Sequence, residues 1–263
     1  MIHGVDVSHY QGKVDFHALK DNADFVIIKS TYGNGYIDPS FTVNRDGARA
    51  VGLSIGFYHY AYPQFNQPQD EATWFTKNVS CQPGEIICLD FEESYPDPVH
   101  WCRTFLDKVS SNMGFKPLIY LNLSLIRSFD WTPVVNAGYG LWIAHYDGST
   151  DQLDTVPWEV VAMKQYSDKG NVAGMNPVDL DMFYGDVTAF KKYGNPPPPI
   201  TTVSTSSTSS TSSTTLTTYP PTTIVTTLPL SPAEAALKKI HDIIYGSGFW
   251  WTKLSKIKAL LPK

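Results

Sequence analysis

The chain has 263 residues, 42% of them hydrophobic, 13% aromatic and 17% charged, with a formal net charge of -5. This is a globular composition with enough apolar surface for a sizeable core, and its acidic balance argues against nucleic acid as the main partner. Three cysteines are too few for a disulfide scaffold, no Cys and His spacing suggests zinc, and no run approaches the roughly 20 apolar residues of a membrane span.

The amino terminus, MIHGVDVSHYQG, has neither the basic leader nor the apolar stretch of a signal peptide. The expectation is a protein made in the cytoplasm, with anything outside reached by a separate release step. Eight short apolar runs follow: IHGVDV near Ile2, FVIIKS from Phe25, SIGFYHY from Ser54, EIICLDF from Glu85, PLIYL from Pro117, LWIAHY from Leu141, VVAMKQY from Val160 and VDLDMF from Val178. Several are continuously apolar, the signature of strands buried on both faces. Helical patterns lie between them. DPSFTVNRDGARAVG has Asp38 as cap, Pro39 in the first turn and a stop at Gly52. QPQDEATWFTKNV and DPVHWCRTFLDKVSSNMG behave alike, the second closing at Gly114. Strand and helix alternation over residues 1–194 predicts a compact α/β structure, a β/α barrel of eight strands with short, irregular later connections.

Residues 195–230 are almost entirely Ser, Thr and Pro with no charge, which predicts an extended, flexible linker. Residues 231–263 are apolar and basic: the net charge is -9 before the linker and +4 after it. Ser231 and Glu234 form a capping-box pattern with Pro232 between them. Leu237, Ile240, Ile243 and Ile244 make one apolar face, Gly246–Gly248 a break, and Trp250, Leu254, Ile257 and Leu261 a second face. The tail is predicted to be a small amphipathic helical hairpin that docks, self-associates or binds an anionic envelope surface.

The segment EIICLDFEES ends an apolar run in Asp90, Glu92 and Glu93. Active sites of β/α barrels sit at the carboxyl ends of the strands. Residues two apart on a strand share a side, about 6.6 Å from one another, so Asp90 and Glu92 can enter one mouth. Asp6 stands near the end of the first run, and Asp179 and Asp181 in the last, which neighbours the first in a closed barrel. Carboxyl groups whose environments separate their protonation states are the machinery of glycoside hydrolysis.

The motifs GVDVSHYQGKVDF, FVIIKSTYGNGYIDPSF, GFYHYA, LDFEE, LWIAHY, KQYSD and VDLDMFYG, in this order, resemble family 25 of the glycoside hydrolases, the N-acetylmuramidase lysozymes, many of them phage endolysins. The resemblance covers residues 1 to about 194. It implies an irregular, TIM-like β/α barrel. It also implies cleavage of the β-1,4 bond between N-acetylmuramic acid and N-acetylglucosamine in bacterial peptidoglycan; no cofactor or metal is expected, because the carboxylates are committed to proton work, and release during host lysis fits a phage endolysin made in the cytoplasm. Carried over by motif, Glu92 is the general acid. Asp90 assists as nucleophile-like stabiliser or by orienting the acetamido group, and Asp6 and Asp179 complete the acidic set. Asp179 follows the family's VD position, while Asp181 faces the same side and stays open. Tyr32, Tyr58, Tyr60, Trp142 and Tyr146 are candidate sugar platforms, Trp142 foremost because the family carries a Trp in this motif, and Gln165 is a candidate hydrogen-bonding partner. His59 is expected to be a buried, hydrogen-bonded histidine rather than a base. The alternative is a barrel that binds peptidoglycan without cleaving it.

Overall fold

The structure, a computed structural model, describes residues 1–195, so the expected linker beyond Asn195 and the expected basic hairpin lie outside the described residues. Nine strands form within them: β1 Ile2–Val7, β2 Phe25–Tyr32, β3 Tyr36–Ile37, β4 Ser54–Tyr60, β5 Ile86–Asp90, β6 Leu118–Asn122, β7 Leu141–Ala144, β8 Val161–Val172 and β9 Met175–Phe183. They pair in the order β1-β9-β8-β7-β6-β5-β4-β2-β3, and pairing of β1 with β2 closes an eight-stranded barrel. The eight expected strands are all present. The added β3 is a short antiparallel extension of β2.

The barrel departs from a fully parallel one at its last strand. β9 runs antiparallel to both β8 and β1. Only Ala173 and Gly174, both at positive φ, separate β8 from β9. Two residues can turn a hairpin but cannot cross over to a parallel neighbour. The reversal puts the beginning of β9 at the end of the barrel where the parallel strands finish, and Asp179 pairs directly with Asp6.

Side chains alternate between two packed layers. Phe25, Ile27, Ile86, Leu118 and Phe183 are among those filling the barrel interior. Val26, Ile28, Ile87, Leu89, Ile119 and Ile143 face outward into the layer beneath the helices. Helix Pro98–Met113 begins at Asp97, whose side chain accepts from His100 N, and stops at Gly114 in the left-handed region, as the sequence predicts. Helix Pro68–Asn78 likewise starts on a proline. The expected cap at Asp38 is corrected: that helix spans Phe41–Ala50 with Ser40 at its N-cap position. Asp38 instead accepts from Ser40 N at 2.9 Å and lies 2.7 Å from His9 Nδ1, a buried use that draws it away from the helix end.

His59, on the outward side of β4, is fully buried and has the structural role expected of it. Its ring nitrogens meet Thr31 Oγ1 and Glu71 Oε2, each at 2.8 Å, and its ring stacks on Phe105. Glu71 also accepts from Tyr62 N and Asn66 Nδ2. Cys88 and Cys102 are buried free thiols and Cys81 is a partly buried one. Glu71→Ala would leave a buried imidazole and a buried backbone N–H without their acceptor. Such losses cost about 3–5 kcal/mol, so the variant's urea midpoint should fall far below that of the wild type.

Candidate active site

Along each inward row the side chains change from apolar to polar toward one end of the barrel. Phe25 and Ile27 are followed by Lys29, Ile86 and Cys88 by Asp90, and Ile2 and Gly4 by Asp6. On the reversed β9 the same gradient runs backward, from Phe183 through Asp181 to Asp179. The polar ends surround a cleft of about 240 Å³ bordered by Asp6, Asp90, Glu92, Asp179, Lys29 and Gln165, with tyrosines between them. All four expected acids therefore meet. Glu92 does not do so as a strand residue, however: β5 ends at Asp90, and Glu92 follows in the loop. That places it on the solvent side of the cleft while Asp90 is buried.

Electrostatics in the cleft are set by crowding. Burial is the largest influence on each acid and raises all of them. Asp90 is pushed well above the ordinary carboxylate range by burial and by the charge of Glu92, with Lys29 pulling the other way. Its Oδ1 is buried and meets no N–H or O–H donor, but its carboxyl group is in hydrogen-bond contact with that of Glu92. Two carboxyl groups can make such a contact only when one of them holds a proton. Glu92 is itself raised, by partial loss of water on its protein side and by Glu93 and Asp179. Asp6 is pushed up to about 8 by burial and Asp179, and Asp179 up to about 6 by burial and Asp168.

Lys29 is the cation bordering the cleft. Burial lowers its proton affinity, while Asp90, Asp38, Glu92 and Asp6 act to keep it charged. Its ammonium stands 4.7 Å from the ring centroid of Tyr60 and 5.8 Å from that of Tyr58, so aromatic faces supply part of the stabilisation that water would give. Sequence reasoning passed over Lys29, although a lone lysine in FVIIKS, two residues past Ile27, sits on the inward row. Tyr120 was also passed over. It borders the cleft, and its hydroxyl donates to Gln165 Oε1 at 2.7 Å.

The expected sugar platforms divide. Tyr58, Tyr60, Trp142 and Tyr146 border the cleft. Tyr146 is 52% exposed at the rim, whereas Trp142 is 2% exposed and forms floor rather than platform. Its indole N–H donates to Asp181 Oδ1 at 2.9 Å, and its ring meets Tyr120 edge-on. Tyr32 does not border the cleft; it packs against Tyr36, Tyr60 and Tyr62. Gln165 donates to Asp6 Oδ2 at 2.5 Å and accepts from Tyr146 at 2.7 Å. Of the two aspartates left open, Asp179 is the one in the cleft. Asp181 lies two residue pairs deeper, opposite Gly4, and is fully buried. Among the described residues, no cluster of three or more His, Cys, Asp or Glu is arranged to hold a metal ion.

Comparison with known proteins bears on the same residues. The sequence pattern of "Glycosyl hydrolases family 25" matches residues 5–175, a span that takes in Asp6, Asp90, Glu92, Trp142 and Gln165 and stops before Asp179. The chain is 32% identical over 186 residues to the autolytic lysozyme of Clostridium acetobutylicum, covering 68% of this chain and 55% of that one. It superposes on the bacterial lysozyme of Streptomyces coelicolor with a TM-score of 0.67 and 25% identity, covering 74% of this chain and 97% of the other. The catalytic domain of endolysin ply40 from bacteriophage P40 of Listeria monocytogenes gives a TM-score of 0.62 at 26% identity, covering 73% and 97%. The match runs through the strands that carry Asp6 and Asp90, and by it the chain belongs to glycosyl hydrolases family 25 and is a glycoside hydrolase.

Proposed function

We propose that the chain is a lysozyme, a 1,4-β-N-acetylmuramidase that hydrolyses the bond between N-acetylmuramic acid and N-acetylglucosamine in bacterial peptidoglycan. The observation that carries this reading is the contact between the carboxyl groups of Asp90 and Glu92, both with raised proton affinity, at an open cleft. A glycosidase needs one carboxyl group that still holds a proton at working pH and can reach the leaving oxygen. Glu92 meets both conditions. It is exposed to the cleft's open side, and its proton affinity is raised. Buried Asp90 keeps a proton within hydrogen-bond reach. When a sugar replaces water over Glu92, its charged form becomes less favourable, and the shared proton can settle on Glu92 and pass to the glycosidic oxygen.

Direct nucleophilic and inverting routes place their two carboxyl groups roughly 5–5.5 Å or 6.5–9.5 Å apart. Asp90 and Glu92, two residues apart and in hydrogen-bond contact, are coupled to each other rather than set on opposite sides of the scissile bond. Asp90 is therefore assigned to holding the proton and orienting the substrate's acetamido group. β9 stands opposite β5 in the ring of eight strands, so Asp179, held at the cleft by its pairing with Asp6, offers negative charge to the oxocarbenium-like centre from the other wall.

The likeness to the ply40 catalytic domain supports a phage endolysin acting in host lysis. In this proposal the enzyme is made in the cytoplasm and reaches the wall once a separate pore-forming protein opens the membrane. The net charge of +4 in residues 231–263 supports attachment to an anionic envelope. Binding of the full-length protein to intact envelopes should then weaken as salt rises, and deletion of residues 231–263 should remove that salt dependence in a pull-down.

Glu92→Gln should fold normally and lose about 10²–10⁴-fold in rate, measured as reducing ends released from purified walls with product masses confirming the bond cut. Clearance at the wild-type rate would remove Glu92 from this role.

The raised acids also make stability depend on pH. A carboxyl group bound more tightly to its proton in the folded than in the unfolded chain stabilises the fold fully below its unfolded value and loses that contribution as pH rises through its folded value. With Asp179 at about 6 and Asp6 at about 8, the barrel should be most stable near the ordinary Asp range and weaken toward pH 8. Asp90→Asn, which removes one raised acid yet can still donate to Glu92, should raise Tm at pH 8 and change it little at pH 4 while lowering activity. An equal Tm shift at both pH values would contradict the buried-acid account.

A further inference from the structure

Beneath the cleft, next to Asp6, lies one further carboxyl group that the proposed reaction does not use, that of Asp181. Asp181 is fully buried, and Asp6 is 7% exposed. Asp181 Oδ1 accepts the indole N–H of Trp142, whereas its Oδ2 is buried with no N–H or O–H donor. The carboxyl group of Asp181 is also in hydrogen-bond contact with that of Asp6. Asp6 Oδ2 is already occupied by Gln165 Nε2.

Counting donors and acceptors gives an arrangement in which every buried polar atom has a partner. Trp142 donates to Asp181, Asp181 carries a proton and donates to Asp6, and Gln165 donates to Asp6 from the other side. Gln165 Oε1 then accepts the hydroxyl protons of both Tyr120 and Tyr146, each at 2.7 Å. An ionised Asp181 would instead leave a buried negative oxygen facing a second carboxylate. The titratable groups recorded against it offer no relief: Asp6 on β1, Asp179 on β9, Tyr166 on β8 and Cys88 on β5 are all acids.

We propose that Asp181 is a positioning residue that stays protonated across the working pH range and acts as a neutral hydrogen-bond donor to Asp6. Through Asp6 it fixes which way the Gln165 amide points, and through Gln165 it fixes the hydroxyl protons of Tyr120 and Tyr146. The two phenol oxygens also lie 3.4 Å apart, near enough for one to donate to the other; with the shorter 2.7 Å contacts to Gln165 taking both protons, the oxygens turn only lone pairs toward the cleft. The substrate group that binds there is therefore a donor, a sugar hydroxyl or an acetamido N–H. The link to sugar rests on the muramidase reading; the protonation of Asp181 does not, and it is tested separately.

The first measurement needs no substrate. Infrared spectra at pH 7 should show one buried, protonated carboxylic acid fewer in Asp181→Asn than in the wild type; an unchanged acid band would mean that Asp181 is ionised and would overturn the proposal. The second compares pH–rate profiles on purified peptidoglycan. Asparagine can make the same donation to Asp6, so Asp181→Asn should keep kcat/KM within about threefold of the wild type and preserve the profile's inflections. Asp181→Leu removes the donor, which should lower kcat/KM by roughly tenfold or more. It should also move the inflection belonging to Asp6 to higher pH, because the donated hydrogen bond favours ionised Asp6. Folded Asp181→Asn that fails as badly as Asp181→Leu would also overturn the proposal. Absence of activity in every form, with the infrared difference intact, would count against the muramidase reading alone.

Discussion

Several carboxyl groups and one ammonium share the open end of an eight-stranded barrel, and the constraint on everything around them is the scarcity of water and of positive charge. Separating like charges would require a wider barrel. Here they are held by backbone register, because Asp6 pairs with Asp179 across β1 and β9 while Asp90 ends β5. What remains adjustable is protonation. The acids keep protons they would lose in water, and Lys29, close to three tyrosine rings, carries the compensating charge.

Two acid pairs result, with different fates. Asp90 and Glu92 share a proton at the cleft, where one partner reaches solvent. Asp6 and Asp181 meet below it, where Asp181 does not. On the roles proposed above, the first pair offers a transferable proton and the second a fixed one, and depth accounts for the difference. Such clusters work against folding near neutral pH, since every raised acid is a group the unfolded chain would rather ionise. The outer layer offsets this. The outward rows of the strands and helix Pro98–Met113 form a continuous apolar shell, and His59 and Glu71 are buried within it in a fully hydrogen-bonded network.

Much of this was legible in the residues. Continuous apolar runs announce strands buried on both faces, proline and glycine mark the ends of helix Pro98–Met113, and carboxylates at the ends of three runs announce a site. The two-residue period also predicts which residues share a row, and on that basis Lys29 was available to be found. The buried histidine was distinguishable from a catalytic one because the carboxylates already accounted for proton transfer. Tyr32 was misplaced for the opposite reason. A tyrosine near a strand end looks the same in sequence whether it turns to the cleft or to other tyrosines.

The sequence by itself determined the strands, the acidic set and the family resemblance, since these rest on local periodicity and on motifs whose residues lie close together. Tertiary structure alone decided the direction of β9, because a two-residue turn at Ala173 and Gly174 reverses the strand and no periodicity records direction. It also decided between Asp179 and Asp181. Both lie on one face of one strand, and only pairing with β1, at Asp6 for the first and Gly4 for the second, sets one in the cleft and the other beneath it. The protonation that distinguishes them follows from depth, which is a property of the closed barrel and of no segment within it.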